Sequence, residues 1–281
     1  MTNKADLPFL ISLLEDDSPI VQNEVRQALL AYGTSLEREL EPYKARMTDL
    51  QSEMVSYLCA QAFENKYGQD WLAWLDMGGD KEALEHALVQ LAYLDFSKDA
   101  YLISESLDEL ALEYQAYSKE NSVSELMYFL FQYKAFRSPV GEPGLPIHNN
   151  LLYVLENGYG SQIALSCLAI LVGSRSGLEL HGINIQGNFI AISFGEQEMQ
   201  MYNSFNKGKP LARASVIYIE EAFRRNQIAP YNIKAKTHEI VIDILKSGIE
   251  ESYRQNDELE AGRYEELFED LSDELKRRNL I

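Results

Sequence analysis

The sequence predicts an α+β protein that is mostly helical, with a small antiparallel sheet between about residues 178 and 219 and helices before and after it. Three observations support this fold class. From residue 7 to about residue 131, apolar residues recur at three- and four-residue spacing, which is typical of helices. Between residues 178 and 203 the apolar residues alternate, which is typical of half-buried strands. Beyond Phe223 the helical period returns on segments with acidic outer faces.

The first predicted element is a pair of short amphipathic helices at residues 7–33. Asp16-Asp17-Ser18-Pro19 ends the first helix and offers Ser18 as the N-cap of the second, with Pro19 at its first position. Gly33 supplies a C-terminal stop. Two short helices joined in this way resemble one HEAT-type unit, although a single pair does not establish a repeat array.

Three domains are predicted from the change of pattern along the chain. Residues 1–136 form a helical N-terminal domain, and the segment RSPVGEPGLP at residues 137–146 ends it because three prolines and two glycines interrupt regular structure. Residues 137–225 form the core domain. Its second helix, over residues 161–175, is apolar on most sides and is expected at the centre of the core. Residues 226–281 form a tail of two antiparallel helices.

The alternating region predicts three strands, at residues 178–185, 188–194 and 197–203. A two-residue type II′ turn at Gly195-Glu196 would join the last two strands, because glycine favours the first position of such a turn. That turn places Asn188 directly opposite Asn203. Gln162 lies at the N-terminal end of the core helix, and this end is expected to point at the two asparagines.

Composition bears on the class of partner and on location. The chain has 44 acidic and 25 basic residues and a formal charge of −19, which repels nucleic acid and anionic membrane surfaces. The amino terminus lacks the features of a signal peptide, and the most apolar stretch, residues 163–172, is about half the length of a membrane helix. We therefore expect a cytoplasmic protein with no nucleic-acid or membrane partner. Two cysteines and four scattered histidines predict no disulfide, metal or cofactor.

Three segments carry a resemblance to a known family: NNLLYVLENGYGSQIALSCLAIL, GLELHGINIQGNF and MYNSFNKGKPL. In this order they resemble the transglutaminase-like superfamily, and specifically its SirB-type bacterial branch, the transglutaminase-like core-2 proteins. The resemblance covers about residues 80–280 and is strongest over residues 149–211. It implies a helical N-terminal part, a papain-like core of one helix and an antiparallel sheet, and a tetratricopeptide-like helical tail.

The same resemblance implies a degenerate catalytic site. Active members of the superfamily have a cysteine at the start of the core helix, a histidine at the start of the next strand pair and an aspartate at the end of the hairpin. By this resemblance, the corresponding positions of this chain are occupied by Gln162, Asn188 and Asn203. Together they contain no nucleophile, no base and no carboxylate that could orient a base. With Ser161 and His148 these three residues form the set of candidate binding residues.

Asn188 and Asn203 also have a purely structural interpretation. Asn188 could be a turn residue after Gly187, and Asn203 could cap the loop before Phe205. We favour the degenerate site, because three replacements coincide with the three expected positions.

Three functions remain open from the sequence. The first is a non-catalytic protein that binds a peptide or protein partner through the former active-site cleft and its helical flanks. The second is an enzyme of the cysteine protease or acyltransferase class that uses Cys167. This residue lies five positions after Gln162, about 140° around the helix and in its apolar stripe, which favours a structural thiol. The third is a helical scaffold. The sequence leaves the partner's identity and the oligomeric state open.

Overall fold

The computed structural model describes residues 6–16, 18–33, 36–63, 71–94, 100–139, 144–185, 187–195, 199–226 and 233–281. These residues divide into two compact units, one up to Trp71 and the other from Leu72 onward. The domain boundaries expected after residues 136 and 225 both lie inside the second unit, so they remain predictions. Among the described helices, none has the length and apolar character needed to cross a membrane.

The first unit contains α1 (Leu7–Ser12), α2 (Pro19–Leu30), α3 (Leu36–Leu40) and α4 (Asp49–Phe63). Pro19 is the first residue of α2, as predicted, and Ser18 is extended, but the Ser18 side chain makes no capping hydrogen bond. One apolar cluster holds the four helices together. Its buried residues are Leu7, Ile11, Leu14, Val25, Leu29, Leu36, Leu40, Val55, Leu58 and Cys59.

The second unit is built around one buried helix. Its helices before the sheet are α5 (Asp80–Leu94), α6 (Leu102–Tyr117), α7 (Val123–Tyr128), α8 (Leu151–Asn157) and α9 (Gln162–Arg175). Every residue of α9 from Ala164 to Gly173 is buried. The helix packs against α5 to α8 on several sides and against the sheet. The prediction that this helix lies at the centre of the core is confirmed.

The sheet has four antiparallel strands in the order β1 (His181–Ile185), β2 (Asn188–Phe194), β3 (Met199–Asn203) and β4 (Lys209–Pro210). The short β4 was not predicted. Neither was α10 (Arg213–Arg225), which follows the sheet. The predicted small sheet at this place in the chain is therefore confirmed, but it ends at Pro210 and helix occupies part of the region assigned to it.

The predicted register between the second and third strands is wrong. Phe194 pairs with Met199 and Ala191 with Tyr202, so β3 is shifted by two residues relative to the two-residue turn that we expected. Glu196, in that predicted turn, lies outside the described residues. Asn188 pairs with Ile185 of β1, and it does not lie directly opposite Asn203. Because the shift is an even number, each side chain keeps the face that alternation predicts.

The two faces of the sheet pack against different helices. On one face, Ile183, Ile190, Ile192 and Met201 form an apolar cluster with Val216 of α10. The other face packs on α9, where Ser166 Oγ donates a hydrogen bond to the carbonyl oxygen of Phe189 at 3.4 Å. The sheet is thus covered on both sides, and the start of α9 lies near the end of β3.

The chain ends in α11 (Thr237–Gln255) and α12 (Glu258–Arg277), the predicted helical pair. Ser252 contacts Glu260, and Gly248 lies against Tyr264, so the two helices run antiparallel. Arg278, just after α12, forms a salt bridge with Asp76 at 2.6 Å and so ties the end of the tail to the segment before α5. The likeness to a tetratricopeptide unit stays a prediction.

A polar cluster joins α11 to the segment before α8. The Asn149 Nδ2 donates to Ser247 Oγ at 3.3 Å. Asn149 Oδ1 and Glu251 Oε2 are both buried, and neither has a hydrogen-bond partner among the described residues. Burial raises the pKa of Glu251 to about 7, although Arg254 opposes this shift. Between pH 4.5 and about 7 the carboxyl group therefore takes up a proton when the protein folds.

A pH dependence of stability follows from Glu251. A raised pKa in the folded state means that stability is greatest below the ordinary carboxyl pKa of 4.5 and falls as the pH rises through about 7. The variant Glu251→Gln stays neutral, so we expect it to be more stable than the parent by about 1–2 kcal/mol at pH 8, allowing for partial exposure, and unchanged at pH 4. Urea unfolding at both pH values measures the difference. Glu269→Gln, at an exposed site on α12, is the charge-matched control. An equal effect of both variants at pH 8 would contradict the assignment.

Candidate active-site remnant

The start of α9 is fixed by hydrogen bonds from two directions. Ser161 is the N-cap, and its Oγ accepts a hydrogen bond from the amide of Ala164 at 3.2 Å. The amide of Ser161 donates to the carbonyl oxygen of His148 at 2.7 Å. Gln162 is then the first residue of the helix, and it is half-buried. The core helix, predicted over residues 161–175, therefore begins one residue later than expected, with Ser161 as its N-cap.

Asn203 lies at the end of β3, next to Gln162. Its Oδ1 accepts hydrogen bonds from the amides of Phe205 at 2.9 Å and Asn206 at 3.3 Å, and from Gln162 Nε2 at 3.4 Å. The carbonyl oxygen of Asn203 accepts from the amide of Gly208 at 3.1 Å. The structure thus brings Gln162 and Asn203 together. It also shows Asn203 in the capping role that we weighed as the structural interpretation.

Asn188 is placed differently from its two predicted partners. It is the exposed first residue of β2. In the described part of the chain no hydrogen bond connects its side chain with Gln162 or Asn203. The three residues therefore do not form a hydrogen-bonded trio, because the register shift moves Asn188 along the strand relative to Asn203. Asn188 is exposed, and its role as a binding residue stays a prediction.

His148 supports the site through its backbone and is itself buried. It is 3% exposed, and its Nδ1 accepts a hydrogen bond from the amide of Leu145 at 3.2 Å. Its ring lies against Tyr153, with the ring centroids 5.8 Å apart. Because its carbonyl oxygen accepts from Ser161, His148 positions the start of α9. A direct contact of the imidazole with a ligand remains an untested prediction.

Two buried serines complete the site and were missed in the sequence. Ser204 Oγ donates to the carbonyl oxygen of Gln162 at 3.3 Å and lies 3.2 Å from Ser166 Oγ. Ser166 in turn contacts the carbonyl oxygen of Phe189, so hydroxyl groups connect β2, α9 and the turn after β3. The available signal was a lone polar residue in the otherwise apolar run of α9, since a buried hydroxyl needs a hydrogen-bond partner.

Cys167 does not contribute to this site. Its side chain is completely buried, and burial raises the pKa of the Cys167 thiol to about 12, although the ammonium group of Lys81 opposes this effect. A thiol with such a pKa is almost entirely protonated at neutral pH, and the thiolate is the nucleophilic form. The geometry therefore agrees with the structural thiol that its position in the apolar stripe predicts.

The chemistry of the site follows from its side chains. Gln162, Asn188 and Asn203 are neutral amides, which donate and accept hydrogen bonds and do not transfer protons near neutral pH. Gln162 Oε1 and Asn203 Nδ2 have no hydrogen-bond partner among the described residues. The site can therefore pair with another amide, such as a peptide group. No cluster of three or more potential metal ligands occurs among the described residues.

Comparison with known families supports the same region of the chain. Residues 101–240 match the family model described as "Transglutaminase-like superfamily". The matched segment begins just before α6, includes the whole sheet and α10, and ends in the first turn of α11. No curated protein and no solved structure gives a significant match to the chain.

Proposed function

Residues 101–240 are a transglutaminase-like superfamily domain, and we propose that in this chain the domain binds a peptide segment of a protein partner without catalysing a reaction. The peptide would lie across the start of α9, with Gln162 and Asn188 as its main polar contacts and Asn203 holding Gln162 in place. The proposal includes the SirB-type assignment and a degenerate site.

The observation that carries the proposal is the Gln162–Asn203 pair. The superfamily resemblance implies a cysteine and an aspartate at these two positions. In this chain Gln162 Nε2 instead lies 3.4 Å from Asn203 Oδ1, and the two side-chain amides have further donor and acceptor atoms for a ligand. Acyl transfer by this fold needs a thiolate and a base that accepts and returns a proton. Neither amide supplies one. The start of α9 therefore has side chains suited to recognition, since each amide can pair with a peptide N–H or C=O.

The enzyme alternative would depend on Cys167, and two facts count against it. The thiol is fully buried, with a pKa of about 12. It also lies in the middle of the fully buried stretch of α9, from Ala164 to Gly173, so a substrate reaches it only if the core rearranges. The scaffold alternative predicts that the start of α9 has no ligand. Binding experiments separate it from our proposal.

The test uses peptides selected on the full chain from a random phage-displayed library. We expect the selected peptides to bind at least tenfold more weakly to Gln162→Met and to Asn188→Ala, because an unpaired peptide group costs about 1–3 kcal/mol. Gln115→Met, at an exposed position of α6, is the matched control and should leave affinity unchanged. Circular dichroism confirms that each variant is folded.

Two outcomes would contradict the proposal. Selected peptides that bind Gln162→Met and Asn188→Ala as tightly as the parent would place recognition elsewhere and favour the scaffold. Turnover of a glutamine-containing peptide by the parent chain, lost in Cys167→Ala, would establish an enzyme.

A further inference from the structure

The second unit contains a cavity of about 500 Å³ that is separate from the start of α9. It lies where β1, α5 and α11 begin, and Ile170 of α9 forms part of its wall. Ile170 is eight residues beyond Gln162, which is about 12 Å along the helix axis. The volume falls within the range of small-molecule sites.

The walls of this cavity are joined by hydrogen bonds across three segments. The amide of Ala235 donates to the carbonyl oxygen of Gly182 at 2.8 Å, which joins the segment before α11 to β1. Thr237 Oγ1 donates to the carbonyl oxygen of Asp80 at 3.3 Å, which joins α11 to α5. Lys81 Nζ donates to the carbonyl oxygen of Leu180. These hydrogen bonds hold β1, α5 and the start of α11 together around the cavity.

Three lysines line the cavity in a chain whose formal charge is −19. Lys81 is half-buried, and burial lowers the pKa of its ammonium group. Lys234 lies 5.1 Å above the ring of Phe194 and 3.4 Å from Glu179. Lys236 is the exposed N-cap residue of α11.

Two acidic residues near the lysines, Glu179 and Glu239, already have partners. Glu179 Oε1 contacts His181 Nε2 at 2.8 Å as well as Lys234. Glu239 Oε2 accepts a hydrogen bond from the amide of Lys236 at 2.7 Å. Asp80 lies at the first turn of α5. The N-terminal ends of α5 and α11, which carry partial positive charge, both lie at this cavity and add to the field of the lysines.

We infer that this cavity binds a small organic anion whose carboxylate or phosphate group lies among Lys81, Lys234 and Lys236, next to the Thr237 hydroxyl. Ammonium groups and a hydroxyl are the donors that such oxygen-rich groups accept. Binding would place a negative charge beside the half-buried Lys81, which favours its charged form. The inference is independent of the proposed peptide site, because it uses neither Gln162 nor Asn203.

Titration of the full chain with inorganic phosphate and, separately, with succinate tests the inference and distinguishes the two anionic groups. Sodium chloride at equal ionic strength is the reference. We expect at least one anion to raise the melting temperature above that reference and to shift the amide NMR signals of Gly182 and Thr237. The variants Lys234→Gln and Lys236→Gln should each weaken binding at least fivefold, and Lys119→Gln, an exposed lysine outside the cavity, should not.

Lys81→Gln is expected to have the largest effect, provided that circular dichroism shows it to be folded. If it is not folded, the two more exposed lysines decide the question. The inference is overturned if neither anion acts beyond the chloride reference. It is equally overturned if Lys119→Gln weakens binding as much as Lys234→Gln and Lys236→Gln do.

Discussion

Cys167 of the folded chain is expected to react with iodoacetamide at neutral pH about a thousandfold more slowly than the same residue in urea. Burial raises the pKa of its thiol from the ordinary value of 9.0 to about 12, so the thiolate fraction falls by about three powers of ten. The completely buried side chain adds a steric barrier. Mass spectrometry of the labelled peptides measures the rate at Cys167 separately from the rate at Cys59.

The parent chain and Cys167→Ala should accordingly show the same background activity toward model amide substrates. Rapid labelling of Cys167 in the native state would contradict the thiol's assignment as structural. If that labelling accompanied amide turnover that Cys167→Ala lacks, the non-catalytic function would be wrong as well.

Gly208→Ala is expected to lower the free energy of unfolding by about 3 kcal/mol. Gly208 has a φ of +66°, which costs an L-residue about 1–2 kcal/mol. A β-carbon there would lie 2.5 Å from the ring of Phe131 and 2.8 Å from the carbonyl oxygen of Met127. The backbone oxygen cannot move aside cheaply, so overlap adds a further cost of about 1–3 kcal/mol. Gly208 is thus packed against the helical segment that contains Met127 and Phe131.

Gly177→Ala is the matched control for this substitution. Gly177 has a similar φ of +73°, but a β-carbon there would meet no atom within 4 Å. It should therefore show only the backbone cost, about 1 kcal/mol. Urea unfolding gives the loss of unfolding free energy for each variant, and the difference between the two losses is the cost of the steric overlap. Equal losses at the two positions would show that Gly208 is not tightly packed against Met127 and Phe131.

Local rules predicted the parts of the site that depend on one element. The core helix begins at Gln162, within one residue of its predicted start, because Gly160 and Ser161 provide a helix start and the following residues are almost all apolar. The prediction that Gln162, at the start of the core helix, lies close to Asn203, at the end of a strand, was also correct. These features need no knowledge of how the hairpin closes.

The register of the hairpin could not be predicted in the same way. Shifting β3 by two residues leaves every side chain on its predicted face, so the apolar pattern is equally satisfied by both registers. The length of the turn decides between them, and glycine at position 195 alone does not fix that length. The position of Asn188 relative to Asn203 depended on this one choice, and it was the part of the site that we predicted wrongly.

Long-range packing explains the other omissions. The strand β4 is two residues long and exists because Tyr202 and Asn203 pair with it, so its own sequence carries little signal. In α10, Val216, Ile219 and Phe223 recur at helical spacing, but this segment follows directly on an alternating region. Ser166 and Ser204 contact each other although they are 38 positions apart in the sequence. No local pattern encodes such a contact.

The hydrogen bonds of Asn203 have a consequence for how such a domain changes over evolutionary time. Its Oδ1 accepts two backbone amides of the following turn, and a carboxylate oxygen could accept the same two. The turn therefore needs a hydrogen-bond acceptor at position 203, whether or not the residues nearby carry out chemistry. A lineage can exchange aspartate for asparagine there, lose the negative charge that would orient a base, and keep the turn. Persistence of the architecture is thus no sign that catalysis persists.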